Sequence, residues 1–276
     1  MKRLVWKLLM LFHLDSLAVV IQRKCINSIR YLRAQLRWYG QPKSRVAPDG
    51  LPLPPPRLAF LVTGMYNVEY FYHNGVMGKE SIMCVLEKNA LDINAFSSIL
   101  DFGCGCGRII RHWKTLTGPQ LYGTDYNPRL IEWCQENLSF AEFGTNELAS
   151  RLSYKDNRFD FIYAISVFTH LDENLQHFWI SELTRVLKPG GILLITVHGR
   201  DRFFQLTHRE IQEFESGQLI VRREKKQGTN YCSAYHPEQY VHRDLAKGLT
   251  VVDFVPTGAK DGSQDVYLLQ RPIPSV

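Results

Sequence analysis

The chain has 276 residues, of which 45% are hydrophobic, so it can form one large domain, or one domain with an appendage, around a sizeable core. Its six cysteines form no C-x-x-C pair, which excludes a typical zinc site or disulfide framework and predicts reduced thiols in a cytoplasmic protein. Residues 1–40 contain eight of the 33 Lys and Arg residues but only one of the 27 Asp and Glu residues. Residues 41–276 therefore have a net charge of −1, which argues against a broad nucleic-acid surface on that part of the chain.

Residues 1–40 are predicted to form a basic, apolar helical arm. The segment 4–21 is strongly apolar, but Lys7, His13 and Asp15 interrupt it, so it is too broken for a membrane span of about 20 apolar residues. A helix of this composition can lie on a membrane surface with its cations against anionic lipid. It can equally pack on the rest of the chain or on a second subunit. Peripheral membrane contact is therefore one of two open interpretations.

Six prolines fall within residues 41–57, which are predicted to form an extended, semi-rigid linker between the arm and a domain spanning residues 58–276. The first part of that domain, residues 58–78, is rich in aromatic residues, and a helix is predicted over residues 79–91.

A buried strand over residues 99–102 runs into a glycine turn at Gly103, Gly105 and Gly107, and a helix is predicted over residues 108–113. Glycine allows the sharp bend and the close approach of a ligand to the backbone. Asp101, at the end of the strand, would repel a pyrophosphate but suits a cationic ligand with an amino group, such as S-adenosylmethionine. A glycine-rich turn without a ligand is the alternative.

From residue 98 onward, strand and helix patterns alternate, which is typical of an α/β fold with a parallel sheet. A hairpin is predicted near the end of the chain. The predicted strands are 99–102, 120–124, 140–143, 159–165, 191–197, 249–255 and 265–269, and the predicted helices after the glycine turn are 108–113, 128–137, 173–187, 207–214 and 237–247.

Five motifs in order, SILDFGCGCGRIIR, LYGTDYN, FGTNEL, NRFDFIYAISVFTHL and LKPGGILLITVHG, resemble those of the class I S-adenosylmethionine-dependent methyltransferases over residues 98–199. The segments GTNYCSAYHPEQYV and DVYLLQ resemble a bacterial branch of that family that modifies small molecules and glycans. The resemblance implies a Rossmann-like αβα sandwich of seven strands in the order 3-2-1-4-5-7-6, with strand 7 antiparallel. It also implies S-adenosyl-L-methionine as the cofactor.

The resemblance further implies which residues hold this cofactor. Asp101 and the glycine turn would hold the methionine end, Asp125 the ribose hydroxyls, and Asn146 the adenine amino group. On local grounds, Asp125 could instead cap a helix and Asn146 could be a turn residue. The complete predicted set follows the first four strands: Asp101, Gly103, Gly105, Gly107, Asp125, Asn146, Leu148 and Ser166.

Absent motifs narrow the acceptor. The chain has no Asn/Asp-Pro-Pro-aromatic run, which methylation of the adenine amino group in nucleic acid would need, and no Pro-Cys nucleophile, which methylation of cytosine C5 would need. It also has no carboxylate cluster at the strand ends for the metal ion that catechol methyltransferases need. These absences predict a small-molecule, glycan or lipid-linked acceptor methylated on oxygen, with nitrogen as the alternative. Two other functions stay open: a catalytically silent methyltransferase-like binding partner, and an RNA methyltransferase recruited by the arm.

A hydroxyl acceptor needs a general base, and histidine suits that role near neutral pH. His170, His198 and His236 are predicted to lie near the acceptor site. Each of them also fits an ordinary structural histidine that is held by hydrogen bonds.

Overall fold

A computed structural model describes residues 15–40 and 45–274, with side chains described for residues 25–40 and 45–274. Residues 1–14 of the predicted arm, residues 41–44 of the predicted linker, and residues 275 and 276 lie outside the described residues.

A seven-stranded sheet forms the centre of the fold, in the order β3-β2-β1-β4-β5-β9-β8. Strands β1 to β5 are parallel to one another, and β9 is antiparallel to both β5 and β8. The strands are β1 Ser98–Phe102, β2 Gln120–Asp125, β3 Glu142–Thr145, β4 Phe159–Ala164, β5 Leu187–Val197, β6 Ile220–Arg222, β7 Ser233–Tyr235, β8 Thr250–Ala259 and β9 Gln264–Gln270. The short strands β6 and β7, which were not predicted, form a separate two-stranded sheet. The seven strands of the main sheet have the predicted order, so the predicted Rossmann-like topology is confirmed.

Helices cover both faces of the sheet, which explains why β1, β4 and β5 are almost continuously apolar and buried. On one face Trp179 packs against Phe102, with 4.6 Å between ring centroids. On the other face Trp113 is buried and donates to the hydroxyl of Tyr163. The helices are α1 Asp15–Gly40, α2 Pro56–Thr63, α3 Val68–Lys88, α4 Pro128–Asn137, α5 Glu173–Val186, α6 His208–Glu215 and the turn α7 Glu238–Tyr240, which continues as a π-helix, Val241–Leu245.

The helix predicted at residues 108–113, after the glycine turn, is shorter than expected. Only a 3-10 turn, Ile110–Trp113, forms there. Helix α3 crosses so closely that a Cβ on Gly75 would lie 2.0 Å from the carbonyl oxygen of Arg108. The long α3, which begins eleven residues before the predicted start at Lys79, thus takes up the space that a full helix would need.

The proline-rich segment differs from the spacer that the sequence predicted. Ala47 and Leu53 are buried, and Asp49 accepts two hydrogen bonds from the buried guanidinium of Arg111, at 2.8 and 3.0 Å. The last two residues of the predicted linker are already part of α2. Residues 45–55 therefore pack on the domain as part of it.

Helix α1 lies against α2 and the start of α3. Arg37 donates to Glu69 at 2.6 Å, and the ring centroids of Tyr31 and Tyr66 are 5.3 Å apart. No helix in the described part of the chain combines the length and the apolar character that crossing a membrane requires.

Candidate functional site

A cavity of about 420 Å³ lies at the carboxyl ends of β1 to β4. The strand order reverses between β1 and β4, so the loops after these strands diverge and leave a crevice between them. Its walls also include residues of α1 and α2 and the loop 228–231. Seven of the eight predicted cofactor residues line this cavity; Gly107 does not.

Asp101 is a buried carboxyl group that faces this cavity. Burial raises its pKa to about 7, although the hydroxyl of Tyr163 and the charge of Arg108 act in the opposite direction. Its Oδ2 atom is buried and has no hydrogen-bond partner among the described residues. A buried carboxylate oxygen is costly unless a donor or a cation meets it, so this position suits a positively charged ligand group.

The glycine turn after β1 needs glycine for two reasons. Gly103 and Gly105 have φ angles of +76° and +57°, which side chains other than glycine rarely adopt. A Cβ on Gly103 would lie 2.4 Å from Val167, and one on Gly105 would lie 2.6 Å from Val62. Gly107, which was also predicted to bind the ligand, does not line the cavity, and a Cβ added to it would lie 2.4 Å from Leu138.

Asp125 ends β2, and backbone donors hold its carboxylate in place. Its Oδ2 accepts from the N–H of Gly105 at 2.9 Å, and its Oδ1 accepts from the N–H of Asn127 at 2.8 Å. Burial raises its pKa to about 6 against the effect of these two hydrogen bonds. The alternative that Asp125 caps α4 is wrong, because the side chain of Asn127 caps that helix. Each carboxylate oxygen retains a lone pair that can accept from a ligand hydroxyl.

Asn146 follows β3, and its backbone N–H bonds to the carbonyl of Asp125 at 3.1 Å. Its Nδ2 donates to the carbonyl of Glu147, whereas its buried Oδ1 accepts from no described residue. Leu148 lies beside it, and the carbonyl of Leu148 is fixed by the indole N–H of Trp179 at 3.0 Å. This end of the cavity thus offers one free acceptor next to an apolar surface.

Ser166 has a φ angle of +61°, which costs about 1–3 kcal/mol in a residue other than glycine. Neighbouring strands hold it there: its N–H donates to Thr196 Oγ1 at 2.8 Å, and its hydroxyl donates to Gln264 Oε1 at 3.1 Å. The strained turn presents Ser166 and Val167 to the cavity next to the glycine turn.

Of the three predicted histidines, His170 lines the cavity, and His198 and His236 do not. His236 is 1% exposed, and its Nε2 lies 2.9 Å from Gln176 Oε1. His198 forms a bridge with Tyr235, the last residue of β7, which covers it. Burial lowers the pKa of both rings to about 3. The structure therefore places these two predicted histidines away from the cavity: both are buried, and the unpredicted strand β7 forms a bridge with His198.

Known proteins show the same architecture. A family model described as a methyltransferase domain matches residues 100–195. A sterol 24-C-methyltransferase of Gibberella zeae is 34% identical over 126 residues, which are 41% of this chain and 32% of that protein. The solved structure of a methyltransferase from Methanosarcina mazei has a TM-score of 0.52 at 23% identity and covers 68% of this chain and 98% of that chain.

Over residues 100–195 the chain is thus similar to a methyltransferase domain, and its fold is that of the class I methyltransferases. A malonyl-acyl-carrier-protein O-methyltransferase of Halalkalibacterium halodurans is 28% identical over 142 residues, or 49% of this chain and 51% of that protein. The chain spans about a third to a half of the length of these two curated relatives.

The polar atoms that line this cavity fit S-adenosylmethionine. Asp101 Oδ2 suits the α-amino group, the two oxygens of Asp125 suit the ribose hydroxyls, and Asn146 Oδ1 suits the adenine amino group. The three groups lie at the carboxyl ends of β1, β2 and β3, which are neighbours in the sheet. Over residues 15–40 and 45–274, no three His, Cys, Asp or Glu side chains are grouped so that they could hold a metal ion.

Sequence reasoning missed several residues that line the cavity or its covering loop. Arg108 is 8% exposed, and its Nη1 donates to Asn74 Oδ1 at 2.8 Å and to Asp261 Oδ2 at 2.7 Å. Tyr126 and Leu148 lie under the loop at Gly228, where an added Cβ would be 3.1 and 3.0 Å from them. The one local signal for these residues was Arg108, which follows the third glycine of the turn. The contacts with the loop 228–231 join residues far apart in the chain, so no local pattern predicts them.

Proposed function

We propose that this protein transfers a methyl group from S-adenosylmethionine to an oxygen of a small-molecule, glycan or lipid-linked acceptor. One observation carries the proposal. Three acceptor groups, at Asp101, Asp125 and Asn146, follow consecutive neighbouring strands and line one cavity, and two of them have buried oxygens without a partner among the described residues. This sequence of a carboxylate, a carboxylate and an amide oxygen corresponds to the amino group, the ribose and the adenine of the cofactor.

When it is bound, S-adenosylmethionine supplies a methyl group on a sulfonium that leaves by direct displacement. The task of the protein is then to orient the acceptor and to exclude water. The glycine turn and the fixed carboxylate of Asp125 form a rigid floor for this purpose, because neighbouring backbone N–H groups hold that carboxylate. Val62 of α2 closes directly over Gly105 and restricts the access of water to the turn.

His170 is the proposed general base for a hydroxyl acceptor. Its Nδ1 lies 2.7 Å from the carbonyl oxygen of Cys232, which can only accept, so Nδ1 carries the proton and Nε2 carries the lone pair. Burial lowers the pKa of this imidazole, so the ring is neutral at pH 7 and can accept a proton. A nitrogen acceptor, the alternative, would need less help from a base when its amine is already neutral.

The chemistry of the acceptor is inferred from the other wall of the cavity. Phe60, Leu61 and Val62 of α2 and Tyr231 of the loop 228–231 give it a mainly apolar lining. The names of the sterol and acyl-carrier-protein methyltransferases noted above support an apolar acceptor, as does this lining. We therefore favour an acceptor with a substantial apolar part.

Contact of α1 with a membrane surface is part of this proposal. Ile29, Leu32 and Leu36 are 52%, 59% and 66% exposed and lie on one side of a helix that also carries arginines. We expect the double variant Leu32→Gln/Leu36→Gln to float less with anionic liposomes than the wild-type protein. Ile273→Gln, at a site 73% exposed, is the matched control. Equal flotation of all three proteins would contradict the membrane contact.

Calorimetry with S-adenosylhomocysteine tests the cofactor site. We expect Asp125→Ala to weaken binding at least about 100-fold, because it removes charge-assisted hydrogen bonds to two hydroxyls, each worth about 1.5–3 kcal/mol. We expect a smaller loss from Asn146→Ala, which removes one acceptor. Asp156→Ala and Asn137→Ala, which lie outside the cavity, are the matched controls. If the wild-type protein does not bind, the silent binding partner becomes the better interpretation, and RNA retained after gentle purification would favour the RNA methyltransferase.

A further inference from the structure

A second cavity, of about 410 Å³, adjoins the one that holds the cofactor residues. Three residues line both cavities: Asn27 of α1, Phe60 of α2, and Gly64, which ends α2 in a left-handed conformation. A ligand that passes Phe60 would thus occupy both cavities, each of which has a volume typical of small-molecule sites.

The wall that α1 contributes to this second cavity is positively charged. Arg30, Arg33 and Arg37 recur at intervals of three and four residues, so they share one side of the helix, and all three line the cavity. Arg37 is paired with Glu69 at 2.6 Å. Arg30 and Arg33 have no acidic partner within 4 Å among the residues that the structure describes. With Glu69 counted against them, the three arginines leave two uncompensated positive charges.

The opposite wall is apolar and aromatic. Phe60 and Tyr66 are stacked, with 4.2 Å between ring centroids and 12° between ring planes. Trp38, Met65 and Val68 complete this lining. The cavity therefore combines an apolar surface with two free guanidinium groups, and this combination suits an amphipathic molecule with an anionic end.

We propose that the second cavity binds the phosphate monoester end of the methyl acceptor, whose apolar part extends past Phe60 toward His170. A phosphate monoester carries about −1.5 to −2 charges at pH 7, which matches the two free positive charges. Guanidinium groups also match the geometry of phosphate oxygens and form strong, charge-assisted hydrogen bonds to them. This inference rests on the proposed function, since it names the class of acceptor for the same site.

Decyl phosphate, used as a monodisperse solution, is the probe for this site. We expect it to bind the full-length protein in calorimetry. We expect decanol, which lacks the phosphate group, and inorganic phosphate, which lacks the alkyl chain, to bind more weakly. The double variant Arg30→Gln/Arg33→Gln should weaken decyl phosphate binding at least about tenfold, through loss of two charge-assisted contacts. The matched control, Arg151→Gln/Arg209→Gln, removes two charges from exposed sites outside both cavities and should bind like the wild-type protein.

Phosphatidylcholine vesicles with and without phosphatidic acid distinguish a lipid surface from a ligand in the cavity. If Arg30 and Arg33 matter only for the binding of phosphatidic acid vesicles, they recognise a membrane surface, and the proposal is overturned. Equal affinity of the wild-type protein and the Arg30→Gln/Arg33→Gln variant for decyl phosphate would also overturn it.

S-adenosylhomocysteine, titrated into the same proteins, separates this inference from the proposed function. We expect the Arg30→Gln/Arg33→Gln variant to bind it as tightly as the wild-type protein does. Normal binding of S-adenosylhomocysteine without any selectivity for decyl phosphate would refute the phosphate site alone. Failure of the wild-type protein to bind S-adenosylhomocysteine would instead refute the proposed function.

Discussion

The two walls of the large cavity are built in different ways. The proposed cofactor wall is formed by residues at the carboxyl ends of three neighbouring parallel strands, between residues 101 and 148, and backbone hydrogen bonds join them to one another. The proposed acceptor wall combines the consecutive helices α1 and α2 with the loop 228–231, which is far from them in the sequence. One of its few polar links is the hydrogen bond from Asn230 Nδ2 to the carbonyl of Leu61, at 3.2 Å.

This difference separates binding of the cofactor from recognition of the acceptor. The buried oxygens without a partner at Asp101 and Asn146 belong to the cofactor wall, whereas aromatic residues dominate the acceptor wall. Substitutions on one wall should therefore leave the other wall's function largely unchanged. The following predictions test that separation.

Replacing His170 should have the largest effect, and on the acceptor side only. We expect His170→Gln to slow methyl transfer by about 10²- to 10⁴-fold, because the acceptor hydroxyl loses its base. The affinity for S-adenosylhomocysteine should stay close to that of the wild-type protein. The rate is measured with methyl-labelled S-adenosylmethionine and an alcohol or phenol acceptor found by screening. His208→Gln, on the exposed side of α6, is the control. An unchanged rate in His170→Gln would remove this residue from the mechanism.

Asp49 tests how the proline-rich segment is anchored to the domain. Burial opposes the ionisation of Asp49, but hydrogen bonds from Arg111 and from the N–H of Leu51 lower its pKa below the ordinary value. Asp49→Asn leaves the fully buried guanidinium of Arg111 without a counter-charge, which should reduce the free energy of unfolding by about 3–5 kcal/mol. Denaturant unfolding measures this loss.

Asp156→Asn is the matched control for Asp49, because Asp156 pairs with Arg185 but is 69% exposed, so its loss should reduce the stability far less than the loss of Asp49. Equal losses in the two variants would show that the contact between Asp49 and Arg111 does not anchor the segment. Because the pKa of Asp49 is lowered in the folded protein, its contribution to stability should be present at neutral pH and should disappear as the pH falls through that lowered pKa.

The affinity of the cofactor wall should depend on pH through Asp101. Its pKa is raised to about 7, so below pH 7 the carboxyl group must lose a proton before it can pair with a cation. We expect binding of S-adenosylhomocysteine to weaken about tenfold between pH 8 and pH 6. Asp125, with a pKa of about 6, should steepen the loss at lower pH. Asp101→Asn should bind more weakly and show little change between pH 7 and pH 8, and the same slope in that variant would refute the assignment.

The sequence was sufficient to bring most of the predicted cofactor residues to one cavity, because each of them is positioned by its own strand. Asp125 and Asn146 occupy the ends of β2 and β3, and parallel strands bring their carboxyl ends to one edge of a sheet. His198 also follows a strand directly, yet β7 covers it. The order of strands predicts the edge at which a residue lies, but not whether a distant segment covers that residue.

The alternation of apolar strands and helices, the glycine turn and the helix caps determined the topology of the sheet and the positions of Asp101, Asp125 and Asn146, because these features depend on local geometry and on neighbouring parallel strands. The shortened turn after Gly107, the anchoring of Asp49 to Arg111 and the acceptor wall were decided by the tertiary structure alone. Those features depend on which distant surfaces pack together, and hydrophobic packing is not directional enough for a pattern along the chain to specify its partners.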